Sequence, residues 1–188
     1  MVRSRVEMVA PRANRVSWDD IKDLPEGGPR MEILEGELVV SPSPNWRHQW
    51  IVGELFVALR AHVRARGLGQ VALAPMDVIF DPHNVAEPDV LYIATERLDI
   101  VRDRVWGAPD LCVEVLSPSS VTRDRQAKRA VYARFGVREY WIVDPDARVA
   151  EVYAGTDLPL TATYAVAERL RSPLLPDLDL PLVSIFDP

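Results

Sequence analysis

The sequence predicts a mixed α/β (α+β) fold: a mixed β-sheet flanked by helices, with an N-terminal β-hairpin. Three observations predict it. The run from Trp46 to Arg66 places Ile51, Leu55, Ala58, Leu59 and His62 on one face at helical spacing. The segment Leu111 to Leu116 (Leu-Cys-Val-Glu-Val-Leu) is nearly all apolar, as a central strand covered on both faces must be. The order hairpin, helix, strands, helix, strand pair then gives a mixed sheet with helices packed on it.

Taken in order, residues 1–16 are polar, charged and unpatterned, and read as a loose tail. Ser17-Trp18-Asp19-Asp20 has the N-cap and acidic first turn of a short helix, closed by Leu24-Pro25 and Gly27-Gly28-Pro29. Arg30 to Leu34 and Glu37 to Val40 are extended runs around the two-residue turn Glu35-Gly36, a β-hairpin. A loop, Ser41 to Asn45, leads into the long helix, which Gly67 and Gly69 end. Val71 to Ala74 and Met76 to Phe80 are one bent strand or two, with Pro75 at the bend. Val90 to Ile93 is a short strand after Pro88-Asp89, and the apolar strand at 111–116 follows. Ser117-Pro118-Ser119-Ser120 breaks that strand, Thr122 to Phe135 is a second helix capped by Gly136, and Tyr140 to Val143 pairs with Arg148 to Tyr153. From Ser172, prolines alternate with leucines, so this end is expected to wrap the body in short extended pieces.

The length of 188 residues suits one domain, here 17–188, and the balance of 48% hydrophobic and 27% charged residues is that of a globular chain. No run of about eighteen uncharged apolar residues exists to cross a membrane, and no apolar block after the first arginines suggests a secretory signal. The single cysteine, Cys112, excludes an internal disulfide and an all-cysteine zinc site. A cytoplasmic protein is expected. The net charge of −6 argues against a basic, non-specific nucleic-acid coat. Residues 67–96 nevertheless carry five acidic and no basic side chains, and residues 97–138 carry nine basic and five acidic ones. Carboxylates for a cation thus precede arginines for phosphates, an adjacency that a metal-dependent site acting on a polyanion needs. Twenty of the 22 basic residues are arginine; the two lysines are Lys22 and Lys128. A lysine kept against that background marks a place where a compact point charge is wanted, and Lys128 is the one beside other polar candidates.

Glu114 stands within an apolar strand, where a lone carboxylate is costly, so it must be paired, protonated, bound to a cation or set at a cleft. Asp89 opens the strand after Pro88. If the two strands are neighbours, both carboxylates face one cleft and suit Mg²⁺ or Mn²⁺, which favour hard oxygen donors. On the second helix Asp124, Lys128 and Tyr132 share a face, giving either a surface Asp–Lys pair or a lysine that reaches Glu114 and orients a water or a phosphate oxygen. Arg123, Arg125, Arg129 and Arg134 are either phosphate contacts or a solvated face. Glu32 and Glu35 on the hairpin and His48 at the helix start are further candidates, whereas His83 reads as loop. There is no zinc spacing, Gly-rich phosphate loop or nucleophile–base pair.

Several runs resemble the Uma-type endonuclease family, a branch of the PD-(D/E)XK nuclease superfamily. They are Glu32 to Leu38, His48, Glu87-Pro88-Asp89-Val90-Leu91, Pro109 to Ser119, Asp124 with Lys128 and Tyr132, and Gly136 to Asp144. The resemblance spans roughly residues 17–188. It implies a restriction-endonuclease-like core and Mg²⁺-dependent phosphodiester hydrolysis. Asp89 would be the aspartate of the motif and Glu114 its second acid, with the backbone carbonyl of Val115 as a third metal donor. The lysine that the superfamily carries two residues after the acid is Leu116 here, and the resemblance displaces it to Lys128. Glu32 would be an additional acid and His48 a further site residue.

Two functions follow as expectations. One is an endonuclease on nucleic acid, DNA foremost, in which Asp89 and Glu114 hold the metal and Lys128 positions the attacking water; a homodimer would cut two strands, and a targeting protein would direct it. The other is a non-catalytic member of the fold that binds or regulates.

Overall fold

The computed structural model describes residues 15–24, 28–118 and 120–187. Of the expected tail, residues 1–14 lie outside that range, while Val16 is tied down. Its N–H donates to the Gly36 carbonyl (2.9 Å) and its carbonyl faces His83 Nδ1 (2.9 Å).

The elements are α1 (Trp18–Ile21), β1 (Arg30–Leu34), β2 (Glu37–Ser41), α2 (Trp46–Arg66), β3 (Gly69–Leu73), β4 (Val78–Asp81), β5 (Asn84–Ala86) and β6 (Val90–Ala94). After a 3-10 turn come β7 (Val105–Trp106), β8 (Leu111–Val115), α3 (Arg129–Phe135), β9 (Glu139–Asp144), β10 (Val149–Ala154), β11 (Leu160–Ala165), β12 (Arg169–Leu170), β13 (Leu180–Pro181) and α4 (Val183–Phe186). The fold class is the one expected, with its strands divided between two sheets. One has six strands in the order β11-β10-β9-β8-β6-β3; the other has five, β2-β1-β5-β4-β7. The segment around Pro75 is therefore two strands, β3 in the first sheet and β4 in the second.

Side-chain alternation decides what each face of β8 meets. Leu111, Val113 and Val115 join the core beneath α2, together with Val90 and Tyr92 of β6 and Trp141 and Val143 of β9. Cys112 and Leu116 face the opposite way, into a core with Tyr140, Ile142 and the α3 residues Val131 and Tyr132. The five-stranded sheet covers the rest of that second face, with Val78 and Val105 against Leu91 and Ile93. Period two puts Glu114 on the face of Cys112, and Asp89 on the face of Leu91. Both acids therefore lie in the seam between the two sheets and α3.

Two turns fix that seam. Glu35 and Gly36 both have positive φ (55° and 81°), the two-residue hairpin geometry that carries β1 back as β2. The second expected helix is wound as a π turn over Arg123–Lys128 before becoming α-helical at Arg129. The C-terminal segment does wrap the body: Leu175, Leu182 and Ile185 are buried against α2's core. Its return is fastened by Glu139, which accepts from Ser172 Oγ (3.0 Å) and the Leu174 amide (2.8 Å).

Candidate active site

Strand β6 pairs antiparallel with β8, matching Val90 to Val113 and Leu91 to Cys112. The two strands are neighbours, so Asp89 and Glu114 lie side by side on one face. Asp89 lines the adjoining cleft, whereas Glu114 is buried and not among the residues that line it. Hairpin strand β1 lies over them and contributes Glu32, while the π turn contributes Asp124 and Lys128. The four acids and the lysine are all buried, at 1–3% exposure.

Lys128 Nζ lies 2.8 Å from Glu32 Oε1, 2.8 Å from Glu114 Oε1 and 3.7 Å from Asp124 Oδ1. The bland alternative of a surface Asp–Lys pair is thereby excluded, since both partners are inside. Tyr132, one turn further along, donates its hydroxyl to the same Glu114 Oε1 at 2.7 Å. Asp89 accepts on Oδ2 from the Val115 amide (2.8 Å) and faces His48 Nε2 with the same oxygen at 3.3 Å. His48 is aimed there because Asn45 caps α2, its Oδ1 accepting from the His48 amide at 2.9 Å. Glu32 Oε1 also accepts from the Glu87 amide (2.9 Å), whereas its Oε2 is buried with no hydrogen-bond partner.

The sequence reading missed Arg30. Its guanidinium sits among the acids: NH1 is 2.8 Å from Asp89 Oδ1, NH2 is 3.9 Å from both Glu32 Oε1 and Glu114 Oε2, and Nε is 3.7 Å from Glu87 Oε2. The signal was present, because strand periodicity puts Arg30 on the face of Glu32, and Glu87 on that of Asp89. Glu35, by contrast, sits in the hairpin turn and pairs with Arg134 at 2.6 Å, away from the cluster. The remaining α3-side arginines are engaged internally. Arg125 pairs with Glu151, and Arg129 lies over the Tyr153 ring at 5.2 Å.

Five carboxylates (Glu32, Glu87, Asp89, Glu114, Asp124) thus face Arg30 and Lys128, with Arg123 Nε at the edge, 3.7 Å from Asp124. The acids outnumber these cations, and burial is the largest influence on how Glu114, Glu87 and Asp89 hold their protons. Burial pushes Glu114 up to about 8 against the pull of Lys128, with Asp89, Asp124 and Glu32 adding like charge. Burial likewise raises Glu87 to about 7. Burial would raise Asp89 too, but the His48 hydrogen bond and the Arg30 charge hold it down at about 2. Lys128 stays charged, its burial outweighed by Glu114, Glu32 and Asp124.

The donor chemistry fits a hard divalent cation: buried carboxylates in excess, with orphan acceptors at Glu32 Oε2 and Asp124 Oδ1. Among the described residues, however, no three His, Cys, Asp or Glu side chains converge at metal-binding spacing. The protein's own cations, Arg30 and Lys128, stand between the acids. A cleft of about 620 Å³ opens beside them, with Arg30, His48, Glu87 and Asp89 in its wall. No helix among the described residues is long and apolar enough to cross a membrane.

Comparisons with known proteins give a family and a fold. Residues 18–183 match the Uma2 family, described as "Putative restriction endonuclease". The solved structure of a protein from Anabaena variabilis, described as "a putative nuclease belonging to DUF820", superposes with a TM-score of 0.75, covering 91% of this chain and 97% of that one at 22% identity. No curated protein sequence matches the chain.

Proposed function

The chain belongs to the Uma2 family of putative restriction endonucleases, and from that membership we propose that it is a metal-dependent endonuclease hydrolysing phosphodiester bonds of nucleic acid, with DNA as substrate and Mg²⁺ or Mn²⁺ as cofactor. The observation that carries the reading is the meeting of Asp89, Glu114 and Lys128, from two strands and a π turn, beside an open cleft. Under this proposal Lys128 stands in for the lysine expected two residues after Glu114, and its support is an ammonium 2.8 Å from that acid.

In this reading Asp89 and Glu114 hold the cation, with Glu32 and the Val115 carbonyl as further oxygen donors. When bound, a divalent cation supplies Lewis acidity toward phosphate and makes water nucleophilic near neutral pH. The chain's residues do the rest. Tyr132 and Lys128 both fasten Glu114 by Oε1, which leaves Oε2 directed toward the cleft-side cluster. The Val115 amide and His48 fasten Asp89 by Oδ2, leaving Oδ1 directed the same way. Lys128, fixed by two carboxylates, orients the attacking water and offsets charge building on the phosphate. A cytoplasmic location, and a homodimer or a targeting protein to present two sites to a duplex, belong to the same reading.

One observation favours the second reading, a nuclease-fold module that binds but does not cut: the acids are already faced by the protein's own cations. The test is cleavage of plasmid and of single-stranded DNA with Mg²⁺ or Mn²⁺, wild type against Asp89→Asn. Metal-dependent cutting that the variant lacks is the expected result. Absence of both cutting and metal binding in the wild type would transfer the assignment to the non-catalytic module.

A further inference from the structure

Each of the two principal acids divides its oxygens in the same way. One oxygen is fastened by the scaffold: Asp89 Oδ2 by the Val115 amide and His48, and Glu114 Oε1 by Lys128 and Tyr132. The other oxygen, Asp89 Oδ1 or Glu114 Oε2, faces Arg30. The guanidinium thus sits where the two free oxygens converge. Yet it is poorly bonded for a buried arginine: the one hydrogen bond is NH1 to Asp89, and Nε and NH2 are buried without a hydrogen-bond partner, 3.7–3.9 Å from Glu87, Glu32 and Glu114. An arginine kept for structure would use its planar fork on a carboxylate. Here one charge is spread over four acids and hydrogen-bonds only one of them, Asp89, through a single N–H. Its side chain is 24% exposed and lines the cleft, so there is a way out.

We propose that Arg30 is a placeholder for the divalent cation: its guanidinium holds Asp89, Glu114 and Glu32 together in the metal-free protein and turns out into the cleft when the metal enters. The inference rests on the metal-dependent reading above and adds to it that metal and Arg30 exclude each other. Removing the guanidinium removes a competing charge from the site, so metal binding tightens.

The test is Mn²⁺ binding, read from the spectroscopic signal of free Mn²⁺, with full-length wild type, Arg30→Gln and Asp89→Asn. Arg30→Gln is expected to bind Mn²⁺ about tenfold or more tightly than wild type, the equivalent of about 1.4 kcal/mol, and Asp89→Asn to bind none. Equal or weaker binding by Arg30→Gln overturns the proposal, as does an absence of Mn²⁺ binding in both proteins. Should Arg30→Gln not fold without metal, wild type still decides. The Arg30 Nε–H resonance, identified by its loss in Arg30→Lys, is followed during Mg²⁺ addition. It should become rapidly solvent-exchanging as the site fills; a protected, unmoved resonance at saturation refutes the exchange. Tighter Mn²⁺ binding with no cleavage of any substrate leaves Arg30's role standing and removes the nuclease. Unchanged binding with normal cleavage does the reverse.

Discussion

Replacing Lys128 with methionine keeps the stem of the side chain and removes the ammonium that lies 2.8 Å from both Glu32 and Glu114. All three groups are almost fully buried, so solvent cannot take over the neutralisation. Breaking a buried ion pair by deleting one partner costs about 3–5 kcal/mol, a large part of the roughly 5–15 kcal/mol that holds a domain together. With a urea slope of about 2 kcal/mol/M, the unfolding midpoint should fall by about 1.5–2.5 M. The loss must also depend on pH. Glu114 already sits near 8 with its lysine present, and without it the carboxyl is pushed higher still. Up to about pH 8 both folded proteins keep a Glu114 proton that the unfolded chain releases above about 4.5; above 8 only the variant keeps it, so the loss grows between pH 8 and 9. Lys128→Met should therefore be better tolerated at pH 5 than at pH 9, and adding Glu114→Gln should return about 1–3 kcal/mol at the higher pH. A cost below about 1 kcal/mol at pH 9, or no recovery in the double variant, would refute the view of Lys128 as the buried counter-charge of these acids.

Tyr132→Phe removes one hydroxyl donor from Glu114 and should cost about 1–2 kcal/mol in urea unfolding; in a cleaving protein it should lower kcat more than it changes KM for DNA. Glu87 keeps its proton up to about 7 when folded but only to about 4.5 when unfolded, so it makes stability fall with rising pH across that window. Glu87→Gln should flatten the fall, measured as Tm against pH; an unchanged slope would count against a buried, proton-holding Glu87. Glu139→Ala strips the acceptor from Trp141 Nε1, Ser172 Oγ and the Leu174 amide, at a cost of about 2–3 kcal/mol. Limited proteolysis should then cut first near 172–175, where the wild type resists.

The hairpin, the long helix and the apolar strand were legible because each carries its own periodicity or turn chemistry. What period alone cannot give is which strands are neighbours. Asp89 and Glu114 were placed in one cleft only on condition that β6 and β8 adjoin, a long-range pairing with no local signature. Strand β5 was missed because Asn84-Val85-Ala86 is too short for alternation to register, although Asp81-Pro82-His83 before it is turn-forming. Arg30 escaped for another reason. An arginine at the first position of a hairpin strand reads as an exposed end, and only the strand above Asp89 turns it inward. The π winding was invisible because Asp124, Lys128 and Tyr132 satisfy ordinary helical spacing.

That winding has a bearing on how such chains vary by descent. A π turn holds one residue more than the α turn it replaces. Losing a single residue between Asp124 and Lys128 would close the wide turn into a regular helix with its backbone ladder intact and its flanks near their present orientation, while the spacing of Asp124 and Lys128 falls from four residues to three. The distance and angle between Asp124 and the lysine would change without α3 losing its seat on the sheet. The same short stretch can thus be edited by one codon to separate chemistry from architecture, and a lineage could lose the first while inheriting the second whole.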